Sequence, residues 1–164
     1  MSNVLKKDQR PTKDDVYDYW TDCRLCLHDL LIRKFGYKFH LAEKKELKKF
    51  GVSKYEDLDD LQKETYDAHM RAIIQFNTWY IDDSRQQIMD AARGVTKYLA
   101  LADASTGSKR INYFNNALGY CNFIEQELQF IIDTLPVSVD TFMIFGEMLG
   151  NQMKLIESSK GYSL

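Results

Sequence analysis

Hydrophobic residues recur at intervals of three and four along most of this chain, the spacing that places side chains on one face of an α-helix. Three such stripes occupy the C-terminal half, residues 88–156. Residues 105–108 and Pro136 interrupt the pattern between them. Because such short connections make consecutive helices pack side by side, this half predicts most of an antiparallel helical bundle.

A further stripe near the N-terminus predicts another helix through apolar residues four and three apart, Val16, Trp20, Cys23, Leu27 and Leu30. Gly36 suits the C-cap of this helix. A short basic segment follows at residues 38–50, and Ser53 with Glu56 forms a capping box for the next helix. The pattern then reaches residues 82–84, which are compatible with either a kink or one long helix.

The predicted fold is therefore all-α, an antiparallel four-helix bundle with an N-terminal helical extension. Its core spans residues 54–160, the extension spans residues 12–53, and residues 1–11 form a disordered tail. Only two prolines and eight glycines in 164 residues favour helices over a turn-rich β fold. No apolar run is long enough for a membrane span or a signal peptide, so we expect a soluble cytoplasmic protein with no membrane partner.

The three cysteines, Cys23, Cys26 and Cys121, favour core thiols over a cofactor site. Cys23 and Cys26 form a C-x-x-C pair, but a thioredoxin-like site needs a preceding strand and a zinc site needs two more ligands. A di-iron bundle needs a glutamate three residues before histidine, and none of the three histidines has one. We therefore expect no metal and no other cofactor.

Glu125 lies on the apolar stripe of its helix, where a charge has to be paired, exposed or functional. One interpretation is that Glu125 lies at the exposed edge of the stripe. A second is a buried ion pair with Arg93 or Lys97 of the preceding helix. A catalytic role is the third.

Charge is segregated along the chain. Cationic residues dominate residues 33–54, and residues 56–67 directly after them are strongly acidic. A basic helix with Tyr37, Phe39 and His40 at its start is suited to tracking a phosphate backbone and stacking on bases. The alternative is that the two segments neutralise each other within one fold, or that each solvates a protein surface.

Arg33 and His40, with six residues between them, resemble the arginine–histidine pair of HEPN-type ribonucleases. The resemblance implies RNA cleavage in which the imidazole moves the 2′-hydroxyl proton and the guanidinium stabilises phosphate charge. An endoribonuclease is therefore one alternative function, and a protein-interaction module of a phage or mobile element is another.

Several helix-packing positions in the C-terminal half follow a known pattern: Ala91-Ala92, Gly94-Val95 and Leu99-Ala100, then Ala117, Gly119, Ile124-Glu125 and Leu128. This order resembles the four-helix-bundle family of proteins encoded by intervening sequences in bacterial 23S rRNA genes, together with the Avd accessory proteins of diversity-generating retroelements. Residues 1–53 have no counterpart in that family. Independently of the family, such small residues let two helix backbones approach closely.

The family resemblance implies a non-enzymatic accessory protein that forms homo-oligomers, binds nucleic acid, with RNA preferred, and associates with a reverse transcriptase. Exposed aromatic residues such as Trp20, Trp79 and Tyr80 are suited to a subunit interface or, equally, to the core. The candidate nucleic-acid contacts are the cations of the basic segment and of the following helices, Lys38, Lys44, Lys45, Lys48, Lys49, Arg85, Arg93, Lys97, Lys109 and Arg110.

Overall fold

The computed structural model describes residues 13–161, with side chains from residue 16 onward, and the predicted tail 1–11 lies outside this range. The described residues are all-helical and contain no strand, which confirms the predicted all-α class. Short 3₁₀ turns cover Lys34–Gly36 and Tyr55–Asp57. The five α-helices are α1 (Lys13–Ile32), α2 (Phe39–Lys49), α3 (Asp60–Asp103), α4 (Gly107–Thr134) and α5 (Asp140–Lys160).

Helix α3 is continuous over 44 residues, a length of about 66 Å, so residues 82–84 do not break it. Ser84 is buried where α3 packs against α4, and its hydroxyl donates to Glu127 of α4 at 3.5 Å. The capping box predicted at Ser53 is wrong, since that segment is a turn. The helix instead begins after Asp59, whose carboxylate accepts from the Gln62 backbone N–H at 2.8 Å.

One hydrophobic core joins α1, the C-terminal half of α3, α4 and α5. Helix α1 runs antiparallel to α5, because Gln152 donates to the Val16 carbonyl at 2.9 Å and the Phe142 ring stacks on Phe35 at 6.2 Å. The indole of Trp20 donates to Thr96 of α3 at 2.9 Å. Residues 12–53, expected as an extension, thus contribute α1 to the same core as the C-terminal helices.

Between α1 and α2 the chain turns through three residues with positive φ, Lys34, Phe35 and Gly36. A left-handed conformation costs a residue with a Cβ about 1–2 kcal/mol. Burial of the Phe35 ring against Phe142 offsets that cost. Gly36 is required here, because a Cβ would lie 2.6 Å from the Thr141 hydroxyl oxygen.

Helix α2 continues antiparallel along the N-terminal half of α3, with a second small core between them. The contact between Tyr80 and Phe130 places the end of α4 near the middle of α3. Residues 60–76 of α3 therefore extend beyond α4, and we refer to these residues with α2 as the arm. The core of the arm consists of Ala42, Leu47, Leu58, Tyr66 and Met70.

Small residues do line the contact between α3 and α4, with one exception. Ala91, Ala92 and Ala117 are buried, and Gly94 lies beneath the Tyr120 ring, which a Cβ would meet at 2.8 Å. The expectation for Gly119 is wrong: a Cβ at this position would meet nothing within 4 Å. Gly119 faces outward because the buried positions of α4 follow a different line along the helix.

Two further expectations are decided by burial. Glu125 is exposed, as expected for the edge of the stripe, and the fully buried Ile124 takes the core position beside it. Trp20 is a core residue with 3% exposure, so the suggestion that it lies at a surface is wrong.

Within residues 13–161, no helix is both long enough and apolar enough to cross a membrane.

Candidate nucleic-acid interface

The basic segment folds into α2, which separates its lysines from its apolar residues. Ala42 and Leu47 are buried against α3. The helical period then places Lys44, Lys45 and Lys48 on the outward side, where all three are exposed. We call these three residues the lysine face.

The lysine face has no ion-pair partner among the residues whose side chains the structure describes. Among residues 16–161, no carboxylate lies within ion-pair distance of Lys44, Lys45, Lys48 or the exposed Lys38. The acidic segment 56–67 makes other contacts, since Asp59 caps α3 and Asp67 accepts from the Tyr55 hydroxyl at 3.1 Å. No ion pair in the described part of the chain joins the two charged segments, so direct neutralisation does not account for the lysines.

Lys49 is in a different position, because it pairs with a buried carboxylate. Glu46 has a side chain only 3% exposed, and its two oxygens lie 3.1 Å from the Lys49 ammonium and 3.2 Å from the His69 ring. This cluster ties α2 to α3 and fixes the direction in which the lysine face points. Sequence reasoning missed it, although Glu46 follows buried Ala42 by one helical turn, a spacing that places both on one side.

The five remaining predicted cations lie on α3 and α4. Arg85 pairs with Asp82 and Arg93 pairs with Asp90, each within its own helix. The other three are Lys97, which lies over the Tyr98 ring, Arg110, which lies over the Phe114 ring, and the exposed Lys109. The structure therefore divides the predicted residues into a compact group in and just before α2 and a dispersed group on α3 and α4, most of whose members have local partners.

The residues considered for chemistry lie in different surroundings. Arg33 pairs with Asp29 at 3.0 Å, and His40 is an exposed residue of the first turn of α2. Burial raises the pKa of both Cys23 and Cys121 to about 12, which suppresses their thiolate forms at neutral pH. Among the described residues no group of three or more side chains is arranged to hold a metal ion.

Sequence reasoning did not find the aromatic cluster where α4 ends against α3. The Phe76 ring lies 5.9 Å from Trp79 and stacks at 5.9 Å on Tyr80, which in turn contacts Phe130 at 6.3 Å. Trp79 is 60% exposed and Phe76 is 58% exposed, whereas Tyr80 is partly buried beneath them. The sequence had already drawn attention to Trp79 and Tyr80 as aromatic residues, but the contact of Tyr80 with Phe130 of α4 depends on the tertiary fold.

A separate shallow groove of about 550 Å³ runs between α3 and α4. Gly119, Tyr98 and Tyr120 line it together with amide side chains.

Comparisons of the chain with protein-family models, with curated proteins and with solved structures find no match.

Proposed function

We propose that this protein is a non-enzymatic accessory protein that binds nucleic acid, preferentially RNA, through α2. The observation that carries the proposal is the lysine face, Lys44, Lys45 and Lys48, which is exposed and has no carboxylate partner among residues 16–161. Phosphates would neutralise these ammonium groups and release the counterions condensed on the nucleic acid, which favours binding.

The wider proposal extends the family resemblance, because its bundle includes α1, which comes from residues that have no counterpart in the family. We propose that α1, the C-terminal half of α3, α4 and α5 constitute an antiparallel four-helix bundle, in keeping with their shared core and the antiparallel contacts of α1 with α5. The close approach of α3 and α4 at Ala91, Ala92 and Gly94 fits the same family pattern. We further propose that the protein is cytoplasmic, forms homo-oligomers and assists a reverse transcriptase.

A salt titration of RNA binding tests the role of the lysine face. For a fluorescent single-stranded 20-mer, the logarithm of the binding constant should fall linearly with the logarithm of salt concentration. Each of Lys44→Ala, Lys45→Ala and Lys48→Ala should reduce that slope by about 0.7, and the triple variant by about 2. Lys154→Ala, at an exposed lysine of α5, serves as the charge-matched control and should leave the slope unchanged.

Lys49 is kept intact in this series, because removing it would also take a partner from buried Glu46. A triple variant with the wild-type slope would refute the assignment of α2. Cleavage of the 20-mer that His40→Ala abolishes would replace the proposal with an endoribonuclease.

A further inference from the structure

Three large aromatic rings remain exposed at the junction between the arm and the main core, Phe76, Trp79 and Phe130. Phe76 and Trp79 contact each other, and the stack of Phe76 on Tyr80 holds its ring in a fixed orientation. The small side chain of Ala72 leaves a shallow depression of about 370 Å³ beside the two rings. Adjoining exposed aromatic rings of this kind are a candidate binding surface. We call Phe76 and Trp79 the aromatic platform.

Two lysines of the basic segment, Lys38 and Lys45, can be placed relative to Phe76 from the contacts of their neighbours. Asn77 donates to the Tyr37 hydroxyl at 3.4 Å, so Lys38, the next residue, lies level with Phe76 across the gap between the helices. Neighbouring helices are spaced about 8–10 Å apart, a distance that an extended lysine side chain can largely span.

The side of the arm that carries these groups follows from the Glu46 cluster. His69 contacts Glu46, and Phe76 lies two turns further along the same side of α3, about 10 Å from His69. Lys49 also contacts Glu46, and Lys45 lies one turn before it on the same side of α2. Lys45 and the Phe76 ring therefore share one side of the arm, and Trp79 lies three residues beyond Phe76 along α3.

We infer that the ligand is a single-stranded nucleic acid whose unpaired bases stack on the aromatic platform while its phosphates contact Lys38 and Lys45. The inference rests on the proposed function and names its ligand class. Bases in a duplex hide their faces within the stack, so only unpaired bases can cover Phe76 and Trp79. Two carboxylates near the aromatic platform have partners, since Glu127 accepts from the Tyr80 hydroxyl at 3.5 Å and Asp82 pairs with Arg85.

Tryptophan fluorescence offers a direct test, since the chain has only two tryptophans and Trp20 is 3% exposed. A single-stranded RNA 12-mer should quench Trp79, and a duplex of the same sequence should not. Trp79→Phe should lose the quenching and keep the affinity, because a phenyl ring still stacks. Trp79→Ala should bind the 12-mer roughly tenfold more weakly. Met143→Ala, at an exposed apolar residue of α5, is the control and should bind normally.

An abasic 12-mer distinguishes stacking from charge, because it keeps the phosphates and lacks the bases. Weaker binding of the abasic strand supports the inference. Equal binding of the abasic and normal strands, or wild-type affinity for Trp79→Ala, would overturn the aromatic platform and leave the lysine face intact. A protein that binds none of these strands would overturn the proposed function as well. Self-association that Trp79→Ala abolishes in sedimentation would assign the platform to a second copy of the chain.

Discussion

Two helical glycines, Gly94 and Gly119, should respond in opposite directions to replacement by alanine. In the interior of a helix, alanine is more favourable than glycine by about 1 kcal/mol. At Gly119 the added Cβ would meet nothing within 4 Å. The full gain should therefore be retained, and Gly119→Ala should raise the free energy of unfolding by about 1 kcal/mol.

At Gly94 the added Cβ would lie 2.8 Å from three carbon atoms of the Tyr120 ring. The ring cannot move freely, because it stacks on Tyr98 with centroids 5.8 Å apart. Overpacking of this kind costs about 1–3 kcal/mol, which cancels or exceeds the gain in helix propensity. Gly94→Ala should therefore lower the free energy of unfolding by about 0–2 kcal/mol.

Thermal and urea unfolding followed by circular dichroism measure both effects. For a chain of this size, 1 kcal/mol corresponds to about 2–4 °C in Tm, so the two variants should lie on opposite sides of the wild type or differ by several degrees. In a Tyr120→Ala background the obstacle at Gly94 is gone, and Gly94→Ala should then stabilise by about 1 kcal/mol.

The reasoning fails if Gly119→Ala destabilises by about 1 kcal/mol or more, a loss in the range expected for overpacking at a close helix contact. It also fails if Gly94→Ala is as stabilising as Gly119→Ala, since the Tyr120 ring would then offer no resistance.

The remaining predictions concern two buried groups. Because burial raises the pKa of Cys23 and Cys121 to about 12, Ellman's reagent at pH 8 should modify the partly exposed Cys26 first and the other two only as the protein unfolds. Three thiols reacting together in the native protein would contradict this. Glu46→Ala should lower the free energy of unfolding by about 1–2 kcal/mol through loss of its two partners, whereas Glu125→Ala, at an exposed carboxylate, should stay within about 0.5 kcal/mol of wild type.

The helices were predictable wherever a local pattern determines them. The stripe from Val16 to Leu30 is buried throughout, because a 3.6-residue period directs those residues to one side. The start of α3 was misplaced, since both Ser53 and Asp59 begin plausible capping boxes and only tertiary packing selects Asp59. The packing of α1 against α5 also depends on contacts between distant parts of the chain, and no local pattern indicates it.

The lysines of the candidate interface could be read from the sequence because their charge is concentrated in one short segment. The contacts between residues of different helices in this region could not be predicted from the sequence. The pairing of Lys49 with Glu46 follows from the burial of that carboxylate against α3, and the contact of Tyr80 with Phe130 joins residues 50 positions apart. Gly119 was misjudged because residue type alone does not tell which side of α4 faces α3.

The lysine face places like charges close together on one helix. Lys44 and Lys48, like Lys45 and Lys49, are like charges one turn apart, and each such pair costs about 0.2–0.5 kcal/mol. Helix α2 has 11 residues, below the length of about 12–15 at which isolated helices become even marginally stable, so it depends on the core of the arm and on Glu46. Folding gains nothing from these repulsions, whereas a polyanion that bound there would relieve them.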